Sequence, residues 1–525
     1  MTESNIEIGG LSMKGRVYAL ILGPLLGLLT FYLLPDSYQD AAGKTVAFAY
    51  AGKACLAVTV WMAVWWFTEA LPIAATALIP LVVYPLFNIS YHPFANSSLT
   101  ACRSPSTTAS AAMTNYASGT IFLFLGGFLL AAAIHRWHLD RRIALTMLTL
   151  FGTKPNQMVL GLMVATGFLS AWVSNTATAA MMVPIAVAVM GVIRSTQDSP
   201  EISSDERNFG VAVLLGIAYA ASIGGMATLI GSPPNGIYAR FVEQTYHEPV
   251  TFVQWMELGL PVTLLLLPVA YVLLTRVLFP SKLNAIPGGR EWVRKELKKL
   301  GPMSRGEKIV LAVFLCAALL WVFGPVIRDL DVGGQKPFKA LSDTVIAMGA
   351  GLVLFMIPVD IKRGIHALDW NSTKDVVAWD VLLLFGGGLT MAAAIQKTGA
   401  AALIGAQASI LAGTGEVAMM AGVATLVTFA TEVTSNTALA ATMMPLIAAA
   451  ADSLKIAPEG LLVTTAIAAS CAFMMPVATP PNAIVFGTGR LKIGDMVKAG
   501  FFLNIIGVIV VVLVCSLLSP YVFAH

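Results

Sequence analysis

Apolar runs of about 17 to 25 residues recur along the whole chain, and a run of that length can carry a helix across the hydrocarbon core of a bilayer. Continuous runs of roughly this kind lie near 17–35, 54–68, 70–88, 119–135, 255–279, 309–328, 342–358, 376–396 and 497–521. Water cannot be the solvent for such a pattern. Charge is correspondingly scarce: 11% of the 525 residues are Asp, Glu, Lys or Arg, where soluble domains carry roughly 25%. A soluble enzyme is therefore excluded, and the mean hydropathy of +0.79 points the same way. The expected fold is an all-α polytopic membrane protein of about eleven transmembrane helices.

Four more apolar regions, 156–193, 208–244, 415–452 and 459–490, carry a polar motif in their middle. A segment of some 36 residues with a central Ser-Asn-Thr is too long for one span and too short for two. It fits a re-entrant hairpin whose arms meet inside the protein, where irregular backbone is tolerated only if it lines a cavity. Hairpins are expected at 156–193 and 415–452, and broken helices at 208–244 and 459–490.

Basic residues set the orientation. Arg136, Arg141 and Arg142 share one loop; Lys282, Arg290, Arg294, Lys295, Lys298, Lys299, Arg305 and Lys308 share the longest; Lys362, Arg363 and Lys374, and then Arg490 and Lys492, fall in two more. Placing all four inside a cytoplasmic membrane puts the N-terminus in the cytoplasm and the C-terminus outside. This use of the basic residues leaves no nucleic-acid patch. The N-terminal stretch is polar and acidic before Lys14 and Arg16 and reads as a cytoplasmic tail rather than a signal peptide. Cys55, Cys102, Cys316, Cys471 and Cys515 are scattered without CxxC spacing, so neither disulfides nor zinc are indicated. The Ser/Thr-rich stretch Ser97–Thr120 reads as an external loop.

The two halves repeat one order of features. IFLFLGGFLLAAAI, SAWVSNTATAAMMVPIA, GSPPNGI and WMELGLPVTLLLL recur as VLLLFGGGLTMAAAI, TEVTSNTALAATMMPLI, ATPPNAI and DMVKAGFFLNIIG. Ser174 and Ser435 stand 261 positions apart, Pro233 and Pro480 stand 247 apart, and so order survives small length changes. The organisation expected is 1–53 (tail and first span), 54–280 (first repeat), 281–308 (basic cytoplasmic linker) and 309–525 (second repeat). Each repeat has an odd number of spans, so the second sits inverted. Inverted repeats with broken helices are the architecture of secondary transporters.

The chemistry sits at the interruptions. Ser174, Asn175, Thr176 and Ser435, Asn436, Thr437 would be costly at bilayer depth unless they line a site or pair internally. Small polar residues that glue helices together explain one such tripeptide; they do not explain two in register. Ser170 and Thr431 lie four residues earlier, one turn away on the same face, so each tip offers hydroxyls, an amide and carbonyls. Such hard, neutral oxygens can replace the hydration shell of sodium. Gly231-Ser232-Pro233-Pro234-Asn235 and Ala478-Thr479-Pro480-Pro481-Asn482 break their helices. The breaks free carbonyls at Gly231 and Ala478 for a cation and create new helix N-termini that attract an anion. No Lys or Arg lies in these motifs, so co-bound cations must supply the positive charge, and the solute expected is a small anion such as a carboxylate.

At these residues the chain resembles the divalent anion/sodium symporter family, from about Leu11 to Pro520. The resemblance implies sodium-coupled symport of a C4 dicarboxylate (succinate, fumarate or malate) by an elevator mechanism in a homodimer, with two or more sodium ions. It places a first sodium at Ser170, Ser174, Asn175 and Gly231, and a second at Thr431, Thr434, Asn436 and Ala478. Substrate carboxylates would meet Asn175, Thr176, Ser232, Pro233, Asn436, Thr437, Thr479 and Pro480. Sodium/citrate or sulfate symport and dicarboxylate exchange remain open, since cavity width is not legible in sequence.

Some residues invite other readings. Glu432 follows Thr431 by one position and points about 100° away from the ligand face, which favours a structural or tuning role over proton carriage. Glu69 lies at a junction between spans and reads as facing the interface. His135 and His138 read as solvated. An enzyme would need a base beside Ser174 or Ser435, and none of the six histidines falls in the motifs; a channel suits closed hairpins poorly.

Overall fold

The computed structural model describes residues 13–39, 44–87, 89, 112–152, 154–195, 203–283, 289–408 and 413–523. The N-terminal tail, Cys102 and most of the Ser/Thr-rich stretch lie outside the described residues. The described chain is helical, as expected, apart from two short antiparallel pairs, Ser37–Gln39 with Thr45–Ala47 and Pro358–Asp360 with Ile365–His366.

Nine of the described helices are long and apolar enough to cross a bilayer, against about eleven expected. Two runs account for part of the difference. The run at 70–88 divides into Ile73–Ala77 and Ile79–Leu86, because Pro80 removes an amide and its ring disfavours a helix running through it. The run at 342–358 yields the 14-residue helix Asp343–Met356, about 21 Å long against a core of about 30 Å.

Helix breaks fall at the polar motifs. The helix Pro155–Ser170 turns through residues 171–174 into Asn175–Ser195, and Glu416–Ala430 turns through 431–435 into Asn436–Leu454. The helix Ser204–Gly225 stops and resumes as Pro233–Tyr246, while Pro458–Ala469 stops and resumes as Pro480–Phe486. Both resume on the first proline of the pair, where the missing amide costs no hydrogen bond and the fixed φ suits a first turn.

Burial puts the interrupted elements at the centre. The apolar window of Ser204–Gly225 is 89% buried, that of the N-terminal helix only 17%. Tyr18, Leu25, Leu29 and Tyr32 of that outer helix are exposed, as befits a surface whose solvent is lipid. Cys55, Cys471 and Cys515 are buried free thiols and Cys316 is exposed.

The basic segment between the halves is docked rather than merely solvated. Its helix Gly289–Lys299 meets helix Leu139–Leu150 through Arg141 and Glu296 (3.0 Å). Arg142 binds Glu307 at 2.5 Å and also donates to the carbonyls of Leu300 and Gly301. His135 pairs with Asp140 at 3.1 Å.

Candidate functional site

At the first tip, one end of the Asn175 side-chain amide points at three oxygens: Ser170 Oγ at 2.6 Å, the Ala221 carbonyl at 3.1 Å and the Gly231 carbonyl at 3.2 Å. With Nδ2 on that side, its two N–H groups are shared among these three acceptors. With Oδ1 there, four oxygens converge, a hard and uncharged set suited to sodium. Ser170 Oγ itself donates to the Ala221 carbonyl at 2.7 Å. The cluster is compact because Gly225 has no side chain: a Cβ there would lie 2.5 Å from Asn175 Oδ1 and 3.0 Å from the Gly231 carbonyl.

The second tip repeats the pattern. Thr431 Oγ1 lies 2.6 Å from Asn436 Oδ1 and 3.0 Å from the Ala469 carbonyl. Thr434 Oγ1 donates to the Ala430 carbonyl at 2.9 Å, and Ser435 caps the helix that follows. The asparagines that end the double-proline motifs bridge their own breaks. Asn235 Nδ2 donates to the carbonyls of Gly225 (2.9 Å) and Thr228 (2.8 Å); Asn482 Nδ2 donates to those of Ala472 (3.2 Å) and Met475 (3.0 Å). In both cases the partners are ten and seven residues upstream, so carbonyls freed by the break are satisfied in place.

These parts meet. Asn175, Thr176, Ser232, Pro233, Asn436, Thr437, Thr479 and Pro480 all line one cavity of about 550 Å³, together with Ser174, Gly231, Ser435 and Ala478. Ser170 and Thr431 are fully buried behind it and Thr434 does not line it. The two breaks touch, with Ser232 Oγ 3.2 Å from Ser470 Oγ. Phe124, Phe128, Ile230 and Leu384 supply an apolar wall. Among the described residues, no lysine, arginine or histidine lines it.

Sequence reasoning missed several residues here. Asn504 and the exact partners of Glu432 were not legible: the buried Glu432 carboxylate accepts from the amides of Phe473 (2.8 Å), Met474 (2.9 and 3.0 Å) and Met475 (2.9 Å) and from Asn504 Nδ2 (2.6 Å). Its role is thus to hold the second break, in line with the structural reading. Glu69, expected at the interface, lines the cavity with Asp380. The only sequence signal for either was an acid beside or just inside an apolar run.

Residues 45–524 match the family described as the sodium:sulfate symporter transmembrane region. The chain belongs to this family. Two sodium-dependent dicarboxylate transporters named SdcS are similar to it across nearly their whole length. That of Staphylococcus saprophyticus is 38% identical over 508 residues, 96% of this chain and 92% of the relative; that of Staphylococcus aureus strain MRSA252 is 38% identical over 509 residues, 97% and 92%. Among solved structures, the Alcanivorax borkumensis YdaH transporter aligns with a TM-score of 0.53 over 95% of this chain and 97% of that one, at 12% identity. That likeness is one of fold. The motif-based resemblance to a sodium-coupled symporter family is confirmed by the family match.

Proposed function

We propose that this protein is a sodium-coupled symporter of C4 dicarboxylates such as succinate, fumarate and malate. The observation that carries the reading is the single cavity on which both hairpin tips and both helix breaks converge: the four motifs present uncharged oxygens and amides to it and, among the described residues, no basic side chain lines it. The dicarboxylate transporters to which the chain is 38% identical favour this substrate over citrate, sulfate or an exchange reaction. The fit to sodium rests on the donor set: Ser170, Ser174, Asn175 and the Gly231 carbonyl for one ion, and Thr431, Thr434, Asn436 and the Ala478 carbonyl for another.

The substrate carboxylates would then lie against Asn175, Thr176, Ser232, Pro233, Asn436, Thr437, Thr479 and Pro480. Hydroxyls, amides and the positive ends of the helices beginning at Asn175, Pro233 and Asn436 would hold them. A dianion entering without a counter-charge would be poorly stabilised there, so two or more sodium ions make binding favourable and couple the solutes. Among the described residues, no histidine or lysine lines the cavity beside Ser174 and Ser435, which speaks for transport rather than catalysis.

The wider reading keeps two inverted repeats, 54–280 and 309–525, in a cytoplasmic membrane with the N-terminus inside and the C-terminus outside, working as an elevator in a homodimer. The matched hydrogen bonds at the two tips support the repeats. Radiolabelled succinate uptake into proteoliposomes tests the function: uptake should follow an inward sodium gradient, fail in potassium alone, and be blocked by fumarate and malate. Uptake that needs internal dicarboxylate instead of sodium would make it an exchanger.

A further inference from the structure

The cavity has a second wall, made neither by the hairpins nor by the breaks. The end of helix Tyr50–Thr68 and the start of helix Trp379–Lys397 contribute it, and its charged members are Glu69 and Asp380. Among the described residues these are the only charged side chains lining the cavity, both are negative and both are exposed. Neither has a hydrogen bond or ion pair among the described residues. For a cavity that takes an anion, this is the wrong sign unless the charge does something.

Glu69 is also locally unfavourable. It follows the last residue of its helix with φ 48° and ψ 36°, the left-handed region that glycine or asparagine occupies more cheaply. A carboxylate there also faces the negative end of the helix dipole. Two local costs and no partner direct attention to function rather than to folding. Asp380 has an ordinary explanation, since an acid in the first turn of Trp379–Lys397 complements its dipole. A test must therefore separate that role from one exerted on the solute.

We propose that Glu69 and Asp380 are specificity-determining residues that select by anion charge, admitting dicarboxylates and penalising tricarboxylates. The pair acts at a distance through the cavity: each added negative charge on the solute meets both carboxylates, while the sodium ions that compensate a dianion leave the third charge of a trianion unmatched. Because both groups are solvated, the effect is moderate and weakens with ionic strength. The inference rests on the reading of this cavity as the substrate site.

The experiment measures sodium-driven succinate uptake in proteoliposomes with glutarate and tricarballylate as competitors, which share a five-carbon chain and differ by one carboxylate. At low ionic strength, Glu69→Gln with Asp380→Asn should tighten inhibition by tricarballylate about fivefold and by glutarate less than twofold. Added choline chloride should shrink that difference, whereas Glu69→Asp and Asp380→Glu should keep the wild-type ratio. An unchanged ratio, equal gains for both competitors, or a gain insensitive to salt would overturn the proposal, as would loss of selectivity in the charge-preserving variants. If Glu69→Gln does not fold, Asp380→Asn alone should move the ratio by about twofold. A purely dipolar role for Asp380 would lower stability and leave the ratio alone. Failure of the cavity reading shows separately, as normal uptake by Asn175→Ala and Asn436→Ala.

Discussion

At the first helix break every anchor is neutral: Thr228 Oγ1 donates to the Ala171 carbonyl, Trp255 Nε1 to that of Met226 and Thr263 Oγ1 to that of Ile223, the last two at 2.9 Å. At the second break the anchor is a carboxylate, Glu432, that collects three successive backbone amides and the Asn504 amide. Ala171 and Glu432 hold the same place in their hairpins, one residue past Ser170 and Thr431. A break leaves orphans of both kinds, carbonyls and amides. Both breaks satisfy carbonyls through the asparagine that follows the double proline, and the second adds a carboxylate that takes up the amides. Charge-assisted bonds in a buried setting are the stronger kind, so the second break is expected to resist opening more than the first. The first instead gains closeness from glycine, with Gly225 against Asn175 where the second half has Ala472.

The comparison breaks first if the two tips are unequal in function. Asn175→Ala and Asn436→Ala should each lower sodium-driven uptake on the order of a hundredfold, because each removes a charge-facing group that contributes roughly 1.5–3 kcal/mol. Wild-type transport in both would refute the site, and a loss in one alone would show that one tip carries the cation binding. Next comes the anchor chemistry. Glu432→Gln should destabilise the protein by roughly 3 kcal/mol, since an amide group then faces backbone donors, whereas Thr228→Val should cost about 1 kcal/mol. Thermal unfolding in detergent measures both, and equal losses would remove the distinction between charged and neutral anchors.

Exchange of the small residues sharpens the contrast further. Gly225→Ala should abolish sodium dependence by displacing Asn175, while Ala472→Gly should change stability by less than about 1 kcal/mol. If both are silent in uptake, closeness at the first tip is irrelevant. The smallest effect is expected at Thr176→Ala and Thr437→Ala, each raising the apparent succinate KM about three- to tenfold through loss of one hydrogen bond. A change in sodium dependence alone would reverse the division of roles between hydroxyls and tips.

Much of the site was legible because its signals are local. A Ser-Asn-Thr or double proline inside an apolar run announces an interruption from the cost of polar groups in lipid and the missing proline amide, and its recurrence marks the repeat. The rest depended on distant partners. Nothing near Glu432 in sequence points to Phe473 or Asn504, 41 and 72 residues away. The Ser232 to Ser470 contact spans 238 residues, and Glu69 read as an interfacial acid because its neighbours in the chain are apolar. The run at 70–88 was misjudged as a single span since hydropathy averages over Pro80.

Sequence alone determined that this chain needs a lipid solvent, where its helices must break and which oxygens the breaks expose, because length, apolarity and proline geometry act within a few residues. Only the tertiary structure decided that both tips share one cavity, that one break is pinned by a carboxylate and the other by neutral donors, and that two acids without a partner among the described residues face the same space. Those outcomes depend on how helices far apart in the chain pack, and packing is a property of whole surfaces rather than of any one segment.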